Sequence, residues 1–140
     1  MAAIADIIIK KQTSGVWSVI SDPATHPHWL GEDAVTHYQG DGKLAEGMKF
    51  TRFEKQTGVT TEGEVVALRT DQFLKVRVDA TGAFAITEYH LLPIAEGCAL
   101  RVVCEIYDTG DTRHAYFPEM MEQQWRRNLE RLKRYCEAPC

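Results

Sequence analysis

The residues most able to do chemistry are polar side chains that share a strand face with apolar ones. Residues 47–55 alternate in character, which places Arg52 and Glu54 on the same face as Met48 and Phe50. A buried charge is costly unless it is paired. We therefore expect one of two arrangements. Arg52 and Glu54 form a structural ion pair at the rim of a cavity, or Arg52 binds a carboxylate or enolate oxygen of a ligand.

Two more side chains are candidates for acid–base chemistry. Tyr89 shares its strand face with Leu91, so its hydroxyl either donates to a ligand or reaches water at a cavity rim. His114 precedes the C-terminal helix and either moves protons near a pocket or lies on the wet surface. The candidate catalytic residues are therefore Arg52, Tyr89 and His114.

Apolar and aromatic residues would form the walls of such a cavity. Trp29 follows a proline turn and either packs in the core or covers the cavity entrance. The predicted ligand-binding residues are Trp29, Phe50, Arg52, Glu54, Tyr89, Cys104, Met121 and Trp125.

Composition and motifs exclude several classes of function. The net charge is −4 and Lys and Arg form no long block, which argues against nucleic-acid binding. No P-loop, GxGxxG or nucleophile elbow occurs, and the His and Cys spacings match no metal site, so we expect neither metal nor cofactor. We expect neither a signal peptide nor a membrane span, because the N-terminal apolar run is short and no long apolar stretch occurs, and the cysteines have no CxxC pairing. We expect a soluble, cytoplasmic protein with reduced thiols, either a monomer or a homodimer.

The pattern of elements predicts a single α+β domain over residues 1–140. An isoleucine-rich strand at residues 4–10 is followed by two short helical segments, the first capped by Thr13 or Ser14. Six alternating segments joined by short turns, between residues 34 and 107, predict an antiparallel meander. One apolar face of that sheet must be covered.

The C-terminal helix is the element able to cover the sheet. Its apolar residues recur at intervals of three and four, which places them on one stripe. They are Phe117, Met121, Trp125, Leu129, Leu132 and Cys136. We expect this helix to lie against the sheet with Met121 and Trp125 beside the cavity.

Several local patterns, in this order, resemble the START-like superfamily. They are the VW…D…P.W opening at residues 16–29, the L..G..F turn and strand at 44–50, the G.V strand at 62–65, the Y.L.P…G hairpin at 89–97 and the W...L..L helix at 125–132. The AP that usually follows the first strand is replaced by Gln12-Thr13. The resemblance extends over nearly the whole chain.

The resemblance implies a helix-grip fold, in which a sheet of about seven strands curls around the long helix and leaves a cavity. It implies no universal catalytic set. Members bind lipids, hormones or polyketides, cyclise polyketides, or bind protein partners. We expect the chain to bind a small hydrophobic or aromatic ligand. The alternatives are a polyketide cyclase or dehydratase using the same cavity, and a protein-partner regulator of the Hsp90-activator type.

Overall fold

Seven strands form one antiparallel sheet in the computed structural model, which describes residues 2–30, 34–40, 42–55, 58–80, 83–108 and 118–139. The strands are β1 (Ala2–Ile9), β2 (Ala34–Tyr38), β3 (Lys49–Glu54), β4 (Thr60–Arg69), β5 (Phe73–Ala80), β6 (Ala83–Ile94) and β7 (Gly97–Asp108). The helices are α1 (Thr13–Ile20), α2 (His26–Trp29) and α3 (Pro118–Glu137), with a 3-10 turn at Pro23–Thr25. The predicted α+β helix-grip fold is confirmed.

The sheet order confirms the predicted meander and adds one long-range pairing. Strands β2 to β7 follow one another as neighbours, and β1 returns to pair with β7. In that pairing Ile4 lies opposite Val103 and Ile9 opposite Cys98. The register is set by the two strands' own alternation, because a slip by one residue would turn every buried side chain to the other face.

The middle of the sheet has two local irregularities, a register shift in β4 and a close contact between β3 and β4. The register of β4 shifts between Val65 and Ala67, and an extra residue of this kind bends its strand. Gly63 lies opposite Phe50, and a Cβ added at Gly63 would come within 2.2 Å of the Phe50 ring. The absent side chain lets the outer end of the Phe50 ring occupy this space beside β4.

The segment after β1 differs from its prediction in one detail. Neither Thr13 nor Ser14 caps α1: the N-cap residue is Gln12, which makes no side-chain cap bond. The Asp22 carboxylate caps the following 3-10 turn by accepting from the Ala24 N–H at 3.1 Å. Since Pro23 fixes the first position of this turn, the chain bends sharply before α2.

Helix α3 is fastened to the sheet at its C-terminal end. The Lys133 ammonium donates to the Ile8 carbonyl at 3.1 Å, and the Lys10 N–H donates to a Glu137 carboxylate oxygen at 2.8 Å. Leu129, Leu132 and Cys136 are buried there. The predicted stripe is confirmed for these residues, while Phe117 lies outside the described residues.

Two other predictions concern burial and membranes. Cys98, Cys104 and Cys136 are free and buried, as predicted, whereas Cys140 lies outside the described residues. Among the helices that the structure describes, none is long and apolar enough to cross a membrane.

Candidate ligand cavity

A cavity of about 530 Å³ lies between the concave face of the sheet and α3. Strand alternation turns residues from β2 to β7 toward it, and Met121 and Trp125 of α3 face them. All eight predicted ligand-binding residues line it: Trp29, Phe50, Arg52, Glu54, Tyr89, Cys104, Met121 and Trp125. His114, the third catalytic candidate, lies outside the described residues.

Three aromatic side chains form one wall of the cavity. The ring of Tyr89 meets the edges of Trp29 and Trp125, with ring centroids 6.2 Å and 5.7 Å away. Trp29 is fully buried and its indole N–H donates to Thr25 Oγ1 at 3.3 Å. The packing role that the sequence allowed for Trp29 therefore holds, and the same residue borders the cavity from the core side.

Arg52 brings a positive charge to the cavity, and no carboxylate of the described residues forms an ion pair with it. Glu54 is exposed, and among the described residues no ion pair joins it to Arg52. The expected Arg52–Glu54 pair is therefore not formed. The Nε–H of Arg52 is buried and has no hydrogen-bond partner among the residues that the structure describes. A buried donor left unpaired costs about 1–3 kcal/mol, so the site is one where an acceptor would be stabilised.

Tyr89 carries a neutral hydroxyl inside the cavity. Burial raises its pKa far above the ordinary value, and the charge of Arg52 only partly opposes this. The phenol therefore stays protonated at physiological pH and is able to donate a hydrogen bond.

Cys104 is a neutral thiol rather than a nucleophile. Burial raises its pKa, although hydrogen bonds from Thr87 and Trp125 act in the opposite direction. Thr87 Oγ1 lies 3.4 Å from the sulfur. Since the thiolate is the reactive form, this residue contributes a polarisable wall surface.

A pair that sequence reasoning missed lies at the α2 side of the cavity. His26 is buried, with Nδ1 2.5 Å from the Tyr38 hydroxyl and Nε2 2.8 Å from the Ile20 carbonyl oxygen. Burial lowers the pKa of His26 and raises that of Tyr38, so both are neutral near pH 7. The one indication of this pair in the sequence is strand alternation, which places Tyr38 on the same strand face as Thr36.

Asn128 is a second residue that the sequence did not single out. It lines the cavity from α3, is 4% exposed, and accepts a hydrogen bond from Arg131. Arg131 also donates through Nε to the Trp29 carbonyl at 3.3 Å. This link holds α3 against the end of α2 and so fixes one side of the cavity.

A larger groove of about 1030 Å³ lies beside the turn between β4 and β5. Half of the residues that border it, among them Arg69, Gln72 and Pro93, are exposed. A ligand there would keep contact with water, so the cavity under α3 is the better binding site. No group of three or more His, Cys, Asp or Glu that could hold a metal ion occurs in the described part of the chain.

Solved structures resemble this chain over nearly its whole length. A protein from Chromobacterium violaceum is 20% identical with a TM-score of 0.76, and the match covers 99% of this chain and 98% of that one. A protein from Mesorhizobium loti is 19% identical with a TM-score of 0.77, covering 96% and 95%. DynU16, a protein in the dynemicin biosynthetic locus, is 19% identical with a TM-score of 0.76, covering 98% of this chain and 47% of that one. At these identities the matches show the fold.

No curated protein matches the chain in sequence. The family model of the Activator of Hsp90 ATPase homolog 1-like proteins matches residues 12–137. The chain belongs to that family, within the START-like superfamily that its motifs indicated.

Proposed function

We propose that the chain binds a small hydrophobic or aromatic molecule with a polar end in the cavity under α3. The observation that carries this proposal is a buried Arg52 Nε–H, unpartnered among the described residues, in a cavity with many apolar and aromatic lining residues. In this proposal the chain is one START-like domain that works in the cytoplasm, as a monomer or a homodimer.

The size and lining of the cavity support this proposal. About 530 Å³ falls within the range of roughly 300–1,000 Å³ that is typical of small-molecule sites. Such sites combine apolar walls with a few polar groups that fix orientation. Here the walls include Val76, Ile106 and Trp125, and the polar groups include Arg52 and Tyr89.

The polar groups favour an oxygen-rich end on the ligand. The guanidinium of Arg52 offers several N–H donors in one plane, which suits a carboxylate or enolate oxygen. The Tyr89 hydroxyl adds a neutral hydrogen-bond donor, which interacts electrostatically with the charge of Arg52. An aromatic carboxylate would place its ring against the wall that Tyr89 and Trp125 form and its oxygens toward Arg52.

Tryptophan fluorescence tests this proposal, because Trp29 and Trp125 border the cavity. We expect 2-naphthoate to quench it saturably, and the uncharged 2-naphthylmethanol to bind about tenfold more weakly. That ratio corresponds to about 1.4 kcal/mol, close to the lower end of the range of about 1.5–3 kcal/mol for a hydrogen bond to a charged group. The variant Arg52→Met should remove the difference between the two compounds.

The matched control is Arg101→Met, since Arg101 is exposed and pairs with Asp6 on the sheet's outer face. It should bind both compounds like the wild type. Absence of saturable quenching by either compound would contradict the proposal. Equal loss of binding in the two Arg variants would remove Arg52 from it.

An enzyme using the same cavity, such as a polyketide cyclase or dehydratase, is the second candidate. It is favoured by Arg52 and Tyr89, which would stabilise negative charge as it develops on an oxygen. The similarity to DynU16, a protein in the dynemicin biosynthetic locus, supports the same proposal of an enzyme. Arg52→Ala and Tyr89→Phe should both lower turnover without unfolding the protein. Unchanged turnover in both would dismiss this assignment.

Regulation of a protein partner, in the manner that the family description names, is the third candidate. It is favoured by Ile8 and Leu92, which are 49% and 62% exposed and both lie opposite Ala99 on the outer face. A pull-down with purified Hsp90 at micromolar concentration should retain the wild type and lose Leu92→Ser. Failure to retain the wild type would count against this role.

A further inference from the structure

A hydrogen-bonded chain runs from the backbone of α1 to the cavity through His26 and Tyr38. The Ile20 carbonyl can only accept, so His26 Nε2, 2.8 Å away, carries the ring's proton. Burial keeps the imidazole neutral, which leaves Nδ1 bare. Tyr38 therefore donates its hydroxyl proton to Nδ1 across 2.5 Å.

This arrangement makes the Tyr38 oxygen an acceptor toward the cavity. Its proton is directed at His26, and both residues line the cavity, so what the Tyr38 oxygen can offer a ligand there is a lone pair. Arg52 and Tyr89 are hydrogen-bond donors. Both interact electrostatically with Tyr38, and Arg52 also interacts with Tyr89. The cavity therefore presents a proton acceptor next to groups that stabilise an oxygen anion.

The partner of Tyr38 is a base, which a structural hydrogen bond would not require. A backbone carbonyl would satisfy a buried phenol equally well but could not take its proton. The imidazole can take it, and two neighbours favour the resulting cation: the Ile20 carbonyl on Nε2 and the nearby Asp22 carboxylate. Lys43 lies 3.4 Å from that carboxylate and offsets part of its charge.

We propose that Tyr38 is the general base of a keto–enol proton transfer on an enolisable aromatic ketone bound in the cavity, with His26 as its positioning residue and proton acceptor. The inference rests on the proposed function, since the ketone must first bind beside Arg52. It assigns an activity to residues that the binding role alone leaves unexplained.

The step is balanced without any co-reactant. The C–H bond next to the ligand carbonyl breaks, and its proton bonds to Tyr38 Oη while the Tyr38 proton bonds to His26 Nδ1. The electron pair of the C–H bond forms the enolate, whose oxygen faces Arg52. Return of a proton from Tyr38 to the carbon, with His26 giving its proton back, restores both side chains.

Deuterium exchange measures this step directly. Phenylpyruvate has an aromatic ring, a carboxylate and an activated CH₂ group, and NMR in D₂O follows loss of the CH₂ protons. We expect the wild type to exceed the uncatalysed rate, and Tyr38→Phe to lose about a hundredfold, the lower end of general acid–base effects. Tryptophan fluorescence gives the Kd of phenylpyruvate in the same samples.

The variant His26→Asn separates proton transfer from positioning. Its Oδ1 can still accept from Tyr38 but cannot take a proton at neutral pH. We expect exchange to fall as in Tyr38→Phe, with the Kd unchanged within about twofold because the acceptor for Tyr38 is retained. Wild-type exchange in His26→Asn would overturn the role of His26.

Two controls exclude general damage. His28→Asn changes an exposed histidine of the same helix, which stacks on Tyr135, and Tyr107→Phe changes an exposed tyrosine bonded to Glu105. Both should exchange at the wild-type rate, and thermal melts should show all four variants folded.

The outcomes separate this inference from the proposed function. Binding of phenylpyruvate with exchange only at the uncatalysed rate overturns the inference and leaves the binding function standing. Absence of phenylpyruvate binding also overturns it, while the naphthoate titration decides the binding function independently. If Tyr38→Phe keeps the wild-type rate of deuterium exchange, the general base is another residue and the inference is overturned.

Discussion

The two ends of the space between the sheet and α3 are built by the same elements but differ in what fills them. At the C-terminal end of α3, Leu129 and Leu132 pack against the sheet with almost no exposure. At the N-terminal end, Met121 and Trp125 border a cavity of about 530 Å³. One helix therefore closes the core at one end and leaves it open to a ligand at the other.

The difference shows which residues the fold itself needs. The packed end is apolar and is fastened by Lys133 and Glu137 to β1. The cavity end holds the polar groups of Arg52, Tyr38 and His26, which are costly to bury. Changes at the packed end should therefore reduce stability, and changes at the cavity end should act mainly on the ligand.

The largest effect should come from Leu132→Ala at the packed end. Leu132 is 0% exposed, and its truncation removes buried methyl groups and leaves a void. We expect the free energy of unfolding to fall by about 2–5 kcal/mol, measured by urea denaturation. The control Leu92→Ala, at a residue 62% exposed, should change it by less than about 0.5 kcal/mol. Similar losses of unfolding free energy in both variants would contradict a special role of the packed end in stability.

Gly63→Ala should produce the next effect, through Phe50, which contacts Gly63 and lines the cavity. The added Cβ would lie 2.2 Å from the Phe50 ring, so the ring must leave its position against β4. We expect a loss of about 1–3 kcal/mol together with weaker binding of 2-naphthoate. Gly42→Ala is the matched control, because a Cβ there meets nothing within 4 Å. Unaltered stability in Gly63→Ala would show that Phe50 moves freely.

The pH dependence of stability should report on His26. Burial lowers its pKa below the ordinary value of about 6.5, so the folded state binds fewer protons than the unfolded state. Its stabilising contribution is fully present above about pH 6.5 and is lost as the pH falls through that value toward the lower folded-state pKa. The melting temperature between pH 7.5 and 5.0 should therefore fall.

The variant His26→Asn should flatten this slope, because it removes the titrating group. His28→Asn should keep it, since His28 is exposed. The carboxyl groups with lowered pKa, Asp6 and Glu137, titrate from about pH 4.5 downward and do not contribute in this range. An equal slope in wild type and His26→Asn would assign the titration elsewhere.

The smallest effect on stability should follow Arg52→Met at the cavity end. The substitution replaces a charge that has a buried, unpartnered Nε–H with an apolar chain of similar length. Removing such a group is neutral or stabilising, so we expect a change between zero and a gain of about 1 kcal/mol. A loss comparable to that of Leu132→Ala would make Arg52 part of the folding core.

Most of the fold followed from periodicity and turn chemistry. The six meander strands, the two short helices and the stripe on α3 were all predicted, because each depends on local alternation or on spacings of three and four. The cap of α1 was predicted wrongly, since any of several polar residues at 12–14 suits that position. The pairing of β1 with β7 joins residues about a hundred positions apart, which no local pattern specifies.

The candidate site was predicted in part, and strand alternation explains why its strand residues were found. Phe50, Arg52, Tyr89 and Cys104 were found because strand alternation states which face a residue occupies. His26 was missed because it lies in a short helix of four residues, where no period can be read. Whether Arg52 would pair with Glu54 also stayed open, because sharing a strand face does not bring two side chains into contact.

The sequence by itself determined the elements, their faces and the family to which the chain belongs, since these follow from local pattern and motif order. Tertiary structure decided three matters. It left Arg52 without its expected partner, placed His26 against Tyr38, and opened the cavity where α3 stands away from the sheet. Each depends on distances between elements that are remote in the chain, and such distances are set by packing of the whole core rather than by any local segment.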